Sequence, residues 1–345
     1  MKPKIAITMG DAAGIGPEII LKSLNNEYIY KICKPVVFGD LKVLEKAMKI
    51  VNLSNRFNVI KDLGDCRFSY GTVDVLNFNN LDINNFNYGI ESSMCGKAAV
   101  EYTMRAARMC QDKIMDAMVS APLNKKSMQM ANYKYSGQTQ IIGELTDSKN
   151  YSVMLISQNI RAIMLTDHLA LIDACKAVKK NKVYKMIKLA NTSLKMIGVS
   201  NPIIAVSALN PHSSEMGLFG KEEIKEITPA IYKAKKEKID VIGPIPADSV
   251  FMKARDQLCD VIIYMFHDQA NITLKTLSFG KIVVLQIGVP IIRTTVGHGT
   301  AFDIAGKNMA KEENLTEAIR VASECFSKNR QIGGKESLIK KSSLN

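Results

Sequence analysis

Tryptophan is absent, histidine occurs only four times in 345 residues, and the seven cysteines include no Cys-x-x-Cys pair. The cysteines, at 33, 66, 95, 110, 175, 259 and 325, are odd in number and widely scattered. That spacing excludes a zinc ribbon and speaks against a disulfide framework; it suits small core residues in a reducing cytoplasm. No apolar run approaches the ~20 residues that span a bilayer. The N-terminal stretch MKPKIAITMGDAAG reaches Gly10 and Asp11 too soon to supply the apolar core of a secretion signal. A cytoplasmic protein with no membrane partner is therefore expected. The charge is lopsided, 46 Lys and Arg against 33 Asp and Glu, for a formal net +13. The lysines, however, spread along helical stretches such as KAVKKNKVYKMIK and AIYKAKKEKID. Solvated helix faces explain them, so no nucleic-acid partner is expected, and the residual field favours small anionic substrates.

What is present is a globular α/β pattern, 47% hydrophobic and 23% charged. Short β-branched runs (KIAIT, KPVVFG, DAMVSA, YSVMLIS, IRAIMLT, PIIAVSAL, CDVIIYMF, KIVVLQIG) alternate with amphipathic segments. Four of these, PEIILKSLN, GKAAVEYTMRAARMCQD, DACKAVKKNKVYKMIKLANTSLKMIG and KEEIKEITPAIYKAKKEK, read as single helices. This order predicts a largely parallel core. In the helix at 96–112, Ala99, Tyr102, Ala106 and Met109 share one apolar face. The Asn-rich stretch 77–92 has no period and reads as a long surface excursion. The length suggests about two domains. No linker is visible, so the chain is expected to leave one domain and return to it.

All four histidines, His168, His212, His267 and His298, sit in short polar inserts beside apolar, strand-like runs. Neutral imidazole is a common ligand for catalytic divalent metals, and three ligands from separate strand ends would leave positions open for substrate. Loop or cap roles are the alternative for each one alone. Around them, Asp167, Asp173, Asn210, Glu215, Asp248 and Asp268 offer oxygens for orienting ligands or moving protons. Lys275, eight residues past His267, is suited to proton transfer or to pairing a phosphate, and Arg293 is a fork donor for an oxyanion. After the strand KIAIT, GDAAGIGPEI carries Gly14, Gly16 and Pro17. It lacks the Gly-Lys-Ser/Thr of a P-loop and the third glycine of the dinucleotide fingerprint, so a weak anion site and a tight turn are both open. Asn124, Lys125, Gln138 and Thr139 add polar groups at strand ends.

Taken in order, ITMGDAAGIGPEI, GKAAVEYT, DAMVSAPLNK, GQT, TDHLAL, LNPHSSEMGLFGKEEI, GPIPADSVF, YMFHDQANITLK, IRTT and HGTAFDIAG resemble the 4-hydroxythreonine-4-phosphate dehydrogenase family of vitamin B6 biosynthesis, from about residue 4 to 310. The resemblance implies a fold like that of isocitrate and isopropylmalate dehydrogenases, two α/β domains flanking an active-site cleft. It implies domains at 1–125 plus 280–330 and at 126–279, with a polar, fraying tail at 331–345. It further implies a homodimer with active sites at the subunit interface, and one divalent ion (Zn, Co, Mn or Mg) held by His168, His212 and His267 drawn from both subunits. Gln138, Thr139, Lys275 and Arg293 fall at positions that bind substrate, and NAD or NADP would occupy a non-Rossmann site. Lys275, Asp248 or Asp268 would move the alcohol proton. Oxidation then leaves a ketone β to the carboxylate, from which CO2 departs easily.

The default substrate so implied is 4-phosphohydroxy-L-threonine, oxidised and decarboxylated to 3-amino-2-oxopropyl phosphate. Five positions depart from the family pattern: Ala12 replaces a proline, a minor change, Gln138 a histidine, Gln140 a glutamate, Val284 an asparagine and Gly297 an aspartate. The metal histidines survive while polar substrate contacts change. That suits a paralogue acting on D-threonate or D-erythronate 4-phosphate, with a non-catalytic metabolite-binding homologue as the further alternative.

Overall fold

The computed structural model describes the backbone of residues 1–278 and 281–342 and their side chains, save those of Ser278 and 331–342. Backbone contacts divide it into two compact units, Met1–Lys149 with Val289–Ser327, and Asn150–Gly288 with the chain end from Lys328. Segment 126–149 thus falls in the first unit.

The first unit opens with β1 (Lys4–Thr8), β2 (Lys34–Gly39), β3 (Arg56–Ile60), β4 (Thr72–Asn77) and β5 (Ala117–Ser120). They pair in the order β3-β4-β2-β1-β5, every neighbour parallel. Strands covered on both faces read as continuous apolar runs, and IAIT of β1 and AMVS of β5 are wholly buried. The helix Ser93–Gln111 buries Ala99, Tyr102, Ala106 and Met109 as its period requires. The stretch 77–92 is not the free excursion its composition suggests: Leu81 and Phe86 are buried, and Asn80 accepts a 2.8 Å hydrogen bond from the Tyr102 hydroxyl.

The turn after β1 is packed and not an open cradle, since residues 10–20 are all buried. Gly10 sits at φ +69°, and a Cβ on Gly16 would lie 2.2 Å from the Met9 carbonyl oxygen. Only glycine fits such positions. Within this turn Asp11 is fully buried; its Oδ1 accepts from Ala13 N at 3.0 Å, while Oδ2 has no hydrogen-bond partner among the described residues. Burial pushes its carboxyl up to about 6. A carboxyl raised in the folded state binds protons more tightly there than in the unfolded chain, so stability falls as pH rises from about 4 to 6. Asp11→Asn is expected to gain about 3 kcal/mol over wild type at pH 7.5, with the gain fading toward pH 4. Thermal unfolding across that range measures it; an equal gain at both ends would contradict the burial argument.

The second unit contains β6 (Ser152–Ser157), β7 (Ile160–Met164), β8 (Ile204–Ser207), β9 (Val241–Ile245), β10 (Val261–Tyr264) and β11 (Val283–Ile287). Their order is β11-β6-β7-β10-β8-β9. The run β7-β10-β8-β9 is parallel, but β6 is antiparallel to both β7 and β11. The core is largely parallel, as expected, with β6 the exception. Only Gln158 and Asn159 connect β6 to β7, with Gln158 at φ +51°, and so short a link permits nothing but a hairpin. A core of Leu155, Ala162, Ala205, Ile262, Tyr264 and Leu274 lies under these strands. The chain then returns to the first unit, where β12 (Arg293–Val296) pairs in parallel with β5, Arg293 opposite Met118.

Strands β3, β4, β9 and β12 escape the apolar-run criterion because they carry Arg56, Asp74, Gly243 and Arg293. Two long helices are also divided. One breaks into Leu171–Lys176 and Lys180–Met196 around an extended Lys179. In the other a wide turn, Glu223–Ile227, precedes Thr228–Lys236, because Pro229 has no N–H for the helical ladder. Of the expected polar tail, residues up to 342 continue the helix Glu313–Ser342, and 343–345 lie outside the described residues. No helix among the described residues is long and apolar enough to cross a membrane.

Candidate active site

Adjacent parallel strands deliver their C-terminal ends to one edge of a sheet, where α/β proteins place their sites. Met164 of β7 lies opposite Tyr264 of β10, so the residues just beyond, Asp167 and His168 on one strand and His267 on the other, come together. The Leu165 N–H donates to the Tyr264 carbonyl at 2.8 Å and the Thr166 hydroxyl to the Met265 carbonyl at 2.8 Å, which fixes the two exits side by side. The rings of His168 and His267 are 5.8 Å apart. Ligand atoms of Asp167, His168 and His267 all lie within 4.8 Å of one another.

Each ring is held by the acid beside it. Nδ1 of His168 is 3.0 Å from Asp167 Oδ2, and Nδ1 of His267 is 2.7 Å from Asp268 Oδ1. A carboxylate at Nδ1 fixes the proton there and leaves Nε2 as a lone-pair donor, the usual orienting device for a metal-binding histidine. His168 is held at φ +44°, a conformation of about 1–3 kcal/mol in cost for a non-glycine residue, which is typical of functional loops. Both side chains face solvent, 79% and 41% exposed, beside a pocket walled by Leu169, Leu171, Ala174 and Phe266. Two oriented imidazoles with carboxylates at hand fit a divalent ion with open positions.

His212 is not part of this group. It lines a different pocket with Asn210, Pro211, Ala247 and Asp248. Its loop is unusual, with His212, Ser213, Ser214, Glu215 and Met216 at φ of 52°, 56°, 65°, 40° and 57°. Each left-handed residue costs about 1–2 kcal/mol, so the surroundings must impose the turn. Glu223 does much of this. Its Oε1 accepts from the backbone N–H groups of Leu209 (2.9 Å) and Asn210 (2.8 Å), and its Oε2 from the Asn210 amide (2.9 Å). Ser213 donates to the Pro244 carbonyl at 3.1 Å. Glu223 was not among the candidate residues; an acid 2% exposed on an otherwise charged helix start is visible only in three dimensions.

The other candidates separate by role. Asp268 orients His267, and Asp248 is exposed beside His212. Lys275 is exposed on the helix His267–Ser278, about two turns past His267. Asp173 pairs with Lys176 at 3.7 Å. In the first unit, Asn124 caps the helix Lys125–Met130 by accepting from Ser127 N at 2.9 Å, while His298 Nδ1 lies 3.0 Å from the Gly299 carbonyl. Gln138 and Thr139 begin the helix Gln138–Leu145, and Arg293 begins β12. Gln138 and Arg293 are both buried and hydrogen-bonded to each other.

Residues 31–322 match the family described as "Pyridoxal phosphate biosynthetic protein PdxA". The chain belongs to the PdxA family. A relative from Fusobacterium nucleatum, named "Putative D-threonate 4-phosphate dehydrogenase", is 42% identical over 94% of this chain and 97% of its own. One from Halalkalibacterium halodurans with the same name is 40% identical over 94% and 97%. Among solved structures, the 4-hydroxythreonine-4-phosphate dehydrogenase of Burkholderia phymatum superposes with a TM-score of 0.85 at 38% identity, covering 94% of this chain and 98% of that one. The Klebsiella pneumoniae enzyme gives 0.89 at 33%, with the same coverage. The fold is thus the isocitrate/isopropylmalate dehydrogenase-like one that the motifs imply, and the chain is an oxidoreductase of the PdxA family.

Proposed function

We propose that the protein is a divalent-metal-dependent NAD(P) dehydrogenase that oxidises the secondary alcohol of a four-carbon sugar-acid phosphate, D-threonate 4-phosphate or its erythronate epimer, with loss of CO2. The observation that carries the chemistry is the pair His168 and His267, each ring oriented by a neighbouring carboxylate. An ion bound by these imidazoles would supply Lewis acidity, favouring ionisation of the substrate hydroxyl and the charge that develops on oxidation and decarboxylation. His212 would complete the ligand set from a second copy of the chain, in a homodimer that shares its sites. Asp268 keeps the His267 ring in register. Asp248 and Lys275 are the free acid and base for the alcohol proton, and Arg293 takes an anionic group of the substrate. NAD or NADP accepts the hydride.

Two observations favour a hydroxy acid over an amino acid as substrate. Val284 stands where the resembling family has asparagine, and it is partly buried against the core that includes Leu155 and Ile262. An ammonium group brings three donors that need acceptors, and Val284 offers none. The relatives at 42% and 40% identity are also named for D-threonate 4-phosphate. The test follows absorbance at 340 nm with metal-loaded protein and either D-threonate 4-phosphate, D-erythronate 4-phosphate or 4-phosphohydroxy-L-threonine. A kcat/KM at least about tenfold higher for a sugar-acid phosphate is expected, the worth of one mispaired polar group. Preference for the amino acid would return the protein to vitamin B6 synthesis.

A further inference from the structure

Arg293 is 3% exposed, yet no carboxylate pairs with it among the described residues. Its Nε donates to the Ser120 hydroxyl at 3.3 Å, and one terminal nitrogen donates to the Gln138 carbonyl oxygen in a short hydrogen bond. The direction of that bond is forced, because a guanidinium can only donate. The Gln138 amide nitrogen must then face the other way, and it donates to the Ala121 carbonyl at 3.1 Å. Gln138 is itself 7% exposed. Its oxygen and its nitrogen are therefore both engaged inside the protein. The guanidinium is in the opposite condition: it is fixed in place, and among the described residues its remaining N–H donors have no partner and its charge has no counterion. Burying an unpaired charge is expensive, and here the desolvation lowers the guanidinium to about 9.

We propose that Gln138 is a positioning residue that holds the buried Arg293 guanidinium without neutralising it, does not itself touch the ligand, and so reserves the charge of Arg293 for an oxyanion of the ligand. A glutamate at this position would satisfy Arg293 internally and exclude the ligand's anion. A neutral imidazole would hold Arg293 much as the amide does. The inference builds on the reading of the ligand as a small acid phosphate, whose phosphate and carboxylate are both oxyanions that suit a fork donor.

The test reads binding and stability, so it stands apart from any failure of the dehydrogenase reading. Full-length wild type, Gln138→Glu and Gln138→His are titrated calorimetrically with inorganic phosphate and with D-threonate, and melted without ligand. Wild type binds at least one of the two, and which one reports the anion that meets Arg293. In Gln138→Glu the affinity falls at least about tenfold while the ligand-free melting temperature rises, because a bidentate partner has replaced the ligand. Gln138→His keeps the affinity within about threefold, as one neutral acceptor replaces another. A merely structural residue would shift melting without this pattern of affinities. Unchanged affinity in Gln138→Glu, a lowered melting temperature in that variant, equal loss in Gln138→His, or wild-type protein that binds neither anion would each overturn the proposal.

Discussion

His267→Ala is expected to abolish metal-dependent turnover, by at least about a thousandfold, while leaving the melting temperature within a degree or two. The ring is 41% exposed and packs on little, so its loss removes a ligand and not a piece of core. Several kcal/mol of charge stabilisation disappear with the ion. His212→Ala should be just as inactive, although His212 lies outside the group formed by Asp167, His168 and His267. If the ion were held within one chain by that group alone, His212→Ala would retain its metal, and an equilibrium-dialysis measurement would show it. Sharing across a dimer has a sharper consequence. When the two inactive variants are refolded together, half of the dimers are mixed and each carries one intact site, so about a quarter of wild-type turnover returns. No recovery would contradict the shared centre.

Glu223→Ala is the largest expected loss of stability. It strips the acceptor from two backbone N–H groups and from one N–H of the Asn210 amide, which keeps its bond to Glu222 at 2.8 Å. Orphaned donors cost about 1–3 kcal/mol each, for roughly 3–5 kcal/mol together. The melting temperature should fall on the order of 10 °C. Metal affinity should fall as well, because the strained turn at 212–216 is free to relax and carries His212 with it. A variant that melts like wild type would show that the turn is held by something other than Glu223.

The two histidines that meet were legible because each lies just beyond the end of an apolar run, and adjacent parallel strands bring such exits together. The isolation of His212 was not. Five left-handed residues without a glycine leave no compositional trace, and the acid that enforces them lies 13 residues beyond Asn210. Gln138 falls at a position where the family resemblance implies a substrate contact, and the sequence does not show what holds its side chain. Its engagement with Arg293 spans 155 positions and no local pattern reveals it. The parallel sheet of the first unit followed from its apolar strands, whereas the antiparallel β6 depended on a two-residue link of ordinary polar residues, Gln158 and Asn159. Strand β12 was missed for a related reason: its first residue is the buried charge that the proposed site uses.

The most direct test is NAD(P)H formation from D-threonate 4-phosphate by the same protein sample as purified, after exhaustive chelation, and after re-addition of a single divalent metal. Turnover that vanishes on chelation and returns with zinc, cobalt, manganese or magnesium is the predicted result. Turnover that survives chelation, or none at all with metal bound, would contradict it.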